Sequence, residues 1–147
     1  MIVLLDTGVA GLLAHPAPKS EVESWLVGLI QRGRSVLLPE IVDYELRREL
    51  LRARLATSLH ALNSLPDLGC GYLPLGTAAM RAAAEFWAQL RQGGEATAGD
   101  RELDADCILA GQSRALSDAE SREVVVATSN VRHLERMVVA RHWQDVR

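Results

Sequence analysis

Short, continuous apolar runs alternate with longer segments of helical periodicity along this chain. A strand whose residues are apolar on both faces is typical of a parallel sheet covered by helices on each side. The predicted strands are Ile2–Leu5, Ser35–Leu38, Gly71–Leu75, Val124–Ala127 and Val138–Ala140. The predicted helices are Ser20–Gln31, Glu40–Ala53, Thr57–Leu65, Thr77–Gln92, Glu102–Leu116 and Val131–Met137. The pattern therefore predicts an α/β fold, a three-layer α/β/α sandwich with a mostly parallel, Rossmann-like central sheet.

The length of 147 residues and the hydrophobic content of 48% indicate one domain that spans residues 1–147. The loop predicted at Gly93–Gly99 is too short to link two domains. Uncharged stretches reach only about a dozen residues, so no membrane span is expected. The N-terminus has no basic flank and no cleavage site, so a signal peptide is not expected. Cys70 and Cys107 are isolated from other cysteines and histidines at metal-binding spacing, and we expect both to be small buried residues. We therefore expect a cytoplasmic protein.

Polar residues that directly follow predicted strands, or that lie on two of the predicted helices, are expected at the one sheet edge where an open parallel sheet carries its functional crevice. Each could have a purely structural role. Asp6 and Asn130 suit helix N-caps, and an acid in an early helical turn is favoured by the helix dipole. Glu45 borders an apolar helix face, where a carboxylate needs an arginine or a metal as partner. The residues in question are Asp6, Thr7, Glu45, Asp104, Asp106, Ser129 and Asn130.

Several carboxylates at one sheet edge would suit Mg²⁺ or Mn²⁺, which prefer oxygen ligands, waters and phosphate oxygens. Such ions activate water and stabilise the charge that develops when a phosphodiester is cleaved. A metal-dependent phosphodiesterase is therefore one interpretation of the pattern.

Four sequence blocks resemble, in order, those of PIN-domain ribonucleases, and most of all the VapC-type toxins of bacterial toxin–antitoxin pairs. They are Leu4-Leu5-Asp6-Thr7-Gly8-Val9, Leu38-Pro39-Glu40-Ile41-Val42-Asp43-Tyr44-Glu45-Leu46-Arg47-Arg48, Asp106-Cys107-Ile108-Leu109-Ala110 and Val126-Ala127-Thr128-Ser129-Asn130-Val131-Arg132-His133-Leu134. The resemblance implies a PIN-like fold and a metal-dependent endoribonuclease that cleaves RNA phosphodiester bonds. It also implies a cognate antitoxin as partner and a homodimer.

The resemblance carries over to individual residues. Asp6, Glu45 and Asp106 match the family's metal-binding and catalytic acids, with Asp104 as the alternative to Asp106. The two aspartates lie about 200° apart on a helix, so only one can face a given site, and the register of Asp106 with the apolar residues after it favours Asp106. At the fourth position the family often has an acid, whereas this chain has Ser129 and Asn130. Asn130 is therefore expected to orient rather than to complete a second metal site.

The basic residues are fifteen arginines and a single lysine, within a net charge of −3. Arg47, Arg48, Arg52 and Arg54 cluster around the helix that carries Glu45. They could contact RNA phosphates or an acidic partner, as Thr7 and Ser129 could, or simply form a solvated helix face. Aromatic residues fall mostly at core-like helical positions, Trp87 among them, so stacking on bases is not predicted.

Two other functions remain open. A haloacid-dehalogenase-type phosphatase also has an Asp after its first strand, but it needs a second Asp two residues later, where this chain has Gly8. The other alternative is a catalytically silent PIN-fold module that only binds a protein partner. Asp6, Glu45 and Asp106 favour the enzyme.

Overall fold

Five parallel strands form the centre of the protein, and helices cover both faces of the sheet. The computed structural model describes residues 1–17, 20–93 and 100–147. The strands are β1 (Ile2–Leu5), β2 (Ser35–Pro39), β3 (Gly71–Leu73), β4 (Val124–Thr128) and β5 (Ala140–His142). The helices are α1 (Thr7–Leu13), α2 (Ser20–Gln31), α3 (Glu40–Arg52), α4 (Ala56–Asn63), α5 (Thr77–Gln92), α6 (Asp100–Glu120) and α7 (Val131–Leu134). The predicted three-layer α/β/α architecture is confirmed.

The strand order is β3-β2-β1-β4-β5, and each neighbouring pair is parallel. The chain builds outward from β1 to β3 and then returns to the other side of β1 to place β4. This reversal makes the junction of β1 and β4 a topological switch point, where open α/β sheets form a crevice at the carboxyl ends of the strands.

The two central strands explain the continuous apolar runs of the sequence. All four residues of β1 and all five of β4 are buried, because helices pack against both faces of these strands. The edge strands β3 and β5 each have three residues, of which the middle one is exposed.

Helix α6 is held to its neighbours by a buried amide and by a close backbone approach. Gln112 donates from Nε2 to the carbonyl of Leu73 at 2.9 Å and accepts from the backbone N–H of Ile41 at 3.4 Å. At Gly111 a side chain would meet the carbonyl oxygen of Ala79 at 2.2 Å. The absence of a Cβ at this position therefore lets α5 and α6 pack in direct contact.

Several boundaries differ from those predicted. Helix α1 was not predicted, although an N-cap at Asp6 followed by apolar Val9, Ala10 and Leu13 is a sufficient helix signal. The last strand is Ala140–His142, two residues later than expected, since the stretch before it pairs only through the carbonyl of Val139.

Helix boundaries differ too. Helix α7 ends at Leu134 and α6 runs on to Glu120, whereas Met137 and Leu116 were expected. Residues 94–99 of the expected loop lie outside the described residues.

Among the described helices, none is both long enough and apolar enough to cross a membrane. Cys70 and Cys107 are both buried free thiols, as expected for two small apolar residues.

Candidate active site

A cavity of about 280 Å³ opens at the switch point between β1 and β4. Its walls come from the start of α1, the middle of α3, the first half of α6 and the segment that follows β4. The lining residues are Asp6, Thr7, Gly8, Glu45, Ala105, Asp106, Leu109, Thr128, Asn130, His133 and Leu134. Three carboxylates from three different elements thus line one space.

Asp6 lies at the floor of this cavity and is also the N-cap of α1. Its Oδ1 accepts a 2.7 Å hydrogen bond from the backbone N–H of Val9, so the predicted role of Asp6 as a helix N-cap is confirmed. Burial raises the pKa of Asp6 above its usual value, and hydrogen bonds from Thr128 and from backbone N–H groups oppose that rise. Because burial outweighs these donors, the carboxylate is costly to ionise unless a cation lies nearby.

Glu45 faces the cavity from α3 and is fixed by two partners. The hydroxyl of Thr7 donates to Oε2 at 2.8 Å, and Nη2 of Arg48 lies 3.7 Å from Oε1. Thr7 and Arg48 therefore supply the partners that the Glu45 carboxylate needs beside an apolar helix face. Thr7, expected to contact RNA or a protein partner, orients Glu45 in this structure.

Asp106 and Asp104 point to opposite sides of α6. Asp106 lines the cavity with Asp6 and Glu45, and Nδ1 of His133 lies 3.5 Å from its Oδ2. Asp104 instead lines a separate cavity between α5 and α6. The angular separation expected for two residues on one helix thus brings Asp106, and not Asp104, to the other two acids.

The segment after β4 closes the fourth side. Asn130 lines the cavity and stands at the N-cap position of α7. Within the described residues its side chain makes no capping hydrogen bond to that helix, so the amide is available to a ligand in the cavity. Ser129 is exposed beside it, and its backbone N–H hydrogen-bonds to Asp6.

Two residues of this site were missed in the sequence. The buried hydroxyl of Thr128 hydrogen-bonds to Asp6, and His133 contacts Asp106. Both belong to the block that follows the most strand-like run of the chain, which is the signal that could have found them.

The donor set suits a hard divalent cation bound partly through water. Within the described ranges, no three acidic, histidine or cysteine side chains lie close enough to share one metal ion directly. Mg²⁺ commonly keeps several waters and takes only one or two carboxylates from the protein. Asp6, Glu45 and Asp106 around a polar cavity fit that mode of binding.

The arginines beside the site are engaged in ion pairs on their own helix. Arg47 donates to both carboxylate oxygens of Asp43, at 3.0 and 2.8 Å, and Arg52 lies 2.7 Å from Glu49. Arg54 follows the end of α3, in a left-handed conformation with φ of 57°. These pairs favour the solvated-face interpretation, because phosphate contact would have to compete with existing carboxylates.

No protein-family sequence model and no curated protein sequence matches the chain. Its fold, however, matches that of VapBC2 from Rickettsia felis, solved bound to a DNA fragment from its promoter, with a TM-score of 0.74 at 17% identity. That match covers 97% of this chain and 99% of the other. The chain has the PIN-like fold of VapC-type toxins. The PIN-like fold is thus the architecture that positions the three acids.

Two further solved structures share this fold. FitAcB from Neisseria gonorrhoeae matches with a TM-score of 0.68 at 23% identity, over 98% of this chain and 99% of that one. DNA-bound VapBC from Salmonella typhimurium matches with a TM-score of 0.71 at 19% identity, over 97% of this chain and 98% of that one. The similarity therefore extends over nearly the whole length of each protein.

Proposed function

We propose that this protein is a metal-dependent endoribonuclease and the toxin of a toxin–antitoxin pair. The observation that carries the proposal is the convergence of Asp6, Glu45 and Asp106 on one cavity at the switch point of a PIN-like fold. The Asp required by a haloacid-dehalogenase-type phosphatase is replaced by Gly8, so the phosphatase has no comparable support.

Each acid has a neighbour that fixes it for this work. Asp6 accepts a hydrogen bond from the backbone N–H of Val9, Glu45 accepts one from the hydroxyl of Thr7, and Nδ1 of His133 lies 3.5 Å from Asp106. The three carboxylates would hold Mg²⁺ or Mn²⁺ partly through bound water molecules, and the bound ion would supply an activated water and neutralise charge on the scissile phosphate. Preorganised ligands of this kind lower the cost of assembling the site at the moment of reaction.

The nuclease is tested on single-stranded RNA with and without Mn²⁺. We expect cleavage that needs the metal and that falls by at least about 100-fold in Asp6→Asn and in Asp106→Asn. Asp118→Asn, an exposed acid elsewhere on α6, is the matched control and should cleave normally. Undiminished cleavage by Asp6→Asn would contradict the site. A wild-type protein that binds a protein partner but never cleaves RNA would instead be a catalytically silent PIN-fold module.

The metal is tested separately from activity. Binding to the native state alone raises the melting temperature, and here it also relieves repulsion among the carboxylates. Millimolar Mn²⁺ should therefore stabilise the wild type and Asp104→Asn, and much less Asp106→Asn. The reverse order of the two variants would make Asp104 the ligand.

The partners follow from the same fold. The names of the matching structures, VapBC and FitAcB, each join two components, and we infer a cognate antitoxin for this chain. We also propose a homodimer that acts on RNA in the cytoplasm. If a short reading frame adjoins the gene, co-expression with it, followed by size-exclusion chromatography with light scattering, tests both the antitoxin and the dimer.

A further inference from the structure

A second cavity, of about 380 Å³, lies between α5 and α6 and takes no part in the proposed metal site. Its size falls within the range of about 300–1,000 Å³ that is usual for small-molecule pockets. The lining is apolar except for one carboxylate and a thiol: Met80, Ala83, Ala84, Trp87, Asp104, Cys107 and Ile108. We call it the α5–α6 cavity.

Trp87 gives this cavity an aromatic wall. The sequence pattern assigned Trp87 to the core, yet 41% of the residue is exposed, whereas Trp25 and Trp143 pack edge-to-face against each other. The guanidinium of Arg91 lies 5.2 Å from the centre of the Trp87 ring, which holds one face of the indole. A tryptophan restrained in this way is a suitable platform for a flat ligand.

Asp104 supplies the polar group of the cavity. It is exposed and has no hydrogen-bond or ion-pair partner within the described part of the chain. A carboxylate offers two acceptor oxygens side by side and no donor. Among the RNA bases, only guanine presents two adjacent donors, its N1–H and exocyclic amino group, to match that pair.

The α5–α6 cavity and the metal site flank the same turn of α6. Asp104 and Asp106 are two residues apart, about 3 Å along the helix axis, and face opposite sides. The two sites are therefore separated mainly by the width of the helix, about 10–12 Å. An RNA strand with a phosphate at Asp106 would pass around α6 to place a base a few nucleotides away beside Trp87.

We propose that the α5–α6 cavity binds a guanine base of the RNA substrate, stacked on Trp87 and hydrogen-bonded to Asp104. This inference rests on the proposed ribonuclease function and adds a base preference to it. Stacking supplies affinity for any base, and the paired acceptors of Asp104 select guanine.

The test uses short labelled uridine oligonucleotides that carry one central guanosine, inosine or adenosine, with Asp6→Asn as the cleavage-dead protein. Fluorescence anisotropy with Mg²⁺ present should show the guanosine oligonucleotide binding about ten-fold more tightly than the adenosine one. Inosine, which lacks the exocyclic amino group, should fall between them. Adding Asp104→Asn should remove the preference.

Variants of Trp87 separate stacking from recognition. Trp87→Ala should weaken binding of all three oligonucleotides by roughly ten-fold, and Trp87→Phe should restore most of the affinity because it keeps a ring. The controls are Asp118→Asn on α6 and Tyr72→Ala, an exposed aromatic outside the cavity. Neither control should change the affinity or the preference.

The outcomes distinguish the two proposals. RNA that is cleaved or bound without base preference, or with a preference that survives Asp104→Asn, overturns the guanine site alone. A protein that neither binds nor cleaves RNA overturns the ribonuclease as well. RNA binding unaffected by the Trp87 and Asp104 variants, together with lost binding of the antitoxin, makes the cavity a protein-docking site and overturns the inference.

Discussion

Replacing Gly111 by alanine should force α5 and α6 apart. The new Cβ would lie 2.2 Å from the carbonyl oxygen of Ala79 and 2.9 Å from the backbone nitrogen of Ala83. Both are backbone atoms, so no side-chain rotation can relieve the overlap. Overpacking of this kind is relieved by backbone movement, here a local separation of about 1 Å.

The energetic cost follows from two opposing effects. Overpacking costs about 1–3 kcal/mol, whereas alanine in place of glycine inside a helix returns at most about 1 kcal/mol. Because both overlaps are with backbone atoms, the overpacking cost lies at the upper end of that range. We therefore expect Gly111→Ala to lose about 2 kcal/mol of unfolding free energy, or roughly 4–8 °C in melting temperature for a protein of this size. Because α6 also carries Asp106, RNA cleavage should fall by up to about 100-fold.

Thermal unfolding followed by circular dichroism measures the stability, and Gly28→Ala on α2 is the matched control. There the three atoms nearest the added Cβ all belong to the guanidinium of Arg32, the closest at 3.4 Å, and that group can move away. Gly28→Ala should gain about 0.5–1 kcal/mol from helix propensity. If Gly111→Ala were equally stabilised and cleaved RNA normally, direct backbone contact would not set the spacing of α5 and α6.

Three further predictions concern other contacts. Thr7→Val keeps the side-chain shape but removes the 2.8 Å bond to Glu45, so Mn²⁺ affinity measured by calorimetry should fall by about ten-fold, and Thr7→Ser should restore it. If Arg48 and Arg52 contact phosphates, Arg48→Ala/Arg52→Ala should flatten the dependence of log affinity on log salt by about 0.7 per arginine; an unchanged slope returns them to a solvated helix face. Burial raises the pKa of Cys70 to about 12, so its thiolate is scarce at neutral pH and becomes abundant only as the pH nears that value. Cys70 of the native protein should therefore resist iodoacetamide at pH 8 and react once the protein is unfolded in urea, whereas modification of native Cys70 at the rate of free cysteine would contradict this environment.

The central strands of the sheet could be predicted from the sequence because parallel strands buried on both faces consist of continuous apolar residues. Val124–Ala127 is apolar at each position, and this alone predicted a central strand. Edge strands lack that signal. Ala140–His142 alternates half-buried and exposed residues, so the preceding apolar Val138 and Val139 were mistaken for the strand.

Asp6 was predictable for a topological reason, since residues that directly follow parallel strands meet at one edge. Glu45 and Asp106 lie within helices, and the resemblance to a known family singled them out. The supporting contacts of these acids were not predictable. Thr7 and Glu45 are 38 residues apart, and only the folded arrangement of α1 against α3 brings them within hydrogen-bond distance. Likewise the exposure of Trp87 depends on how closely α5 and α6 pack, which helical periodicity does not encode.

The double role of Asp6, as both N-cap and cavity acid, decides which inert form of this protein is worth making. Asparagine caps a helix about as well as aspartate, whereas alanine at an N-cap costs about 0.5–2 kcal/mol. An alanine scan would therefore mix damage to α1 with loss of chemistry at this one position. For the ribonuclease toxin proposed above, Asp6→Asn is the variant that should allow high expression, crystallisation and titration with RNA while it preserves the native start of α1.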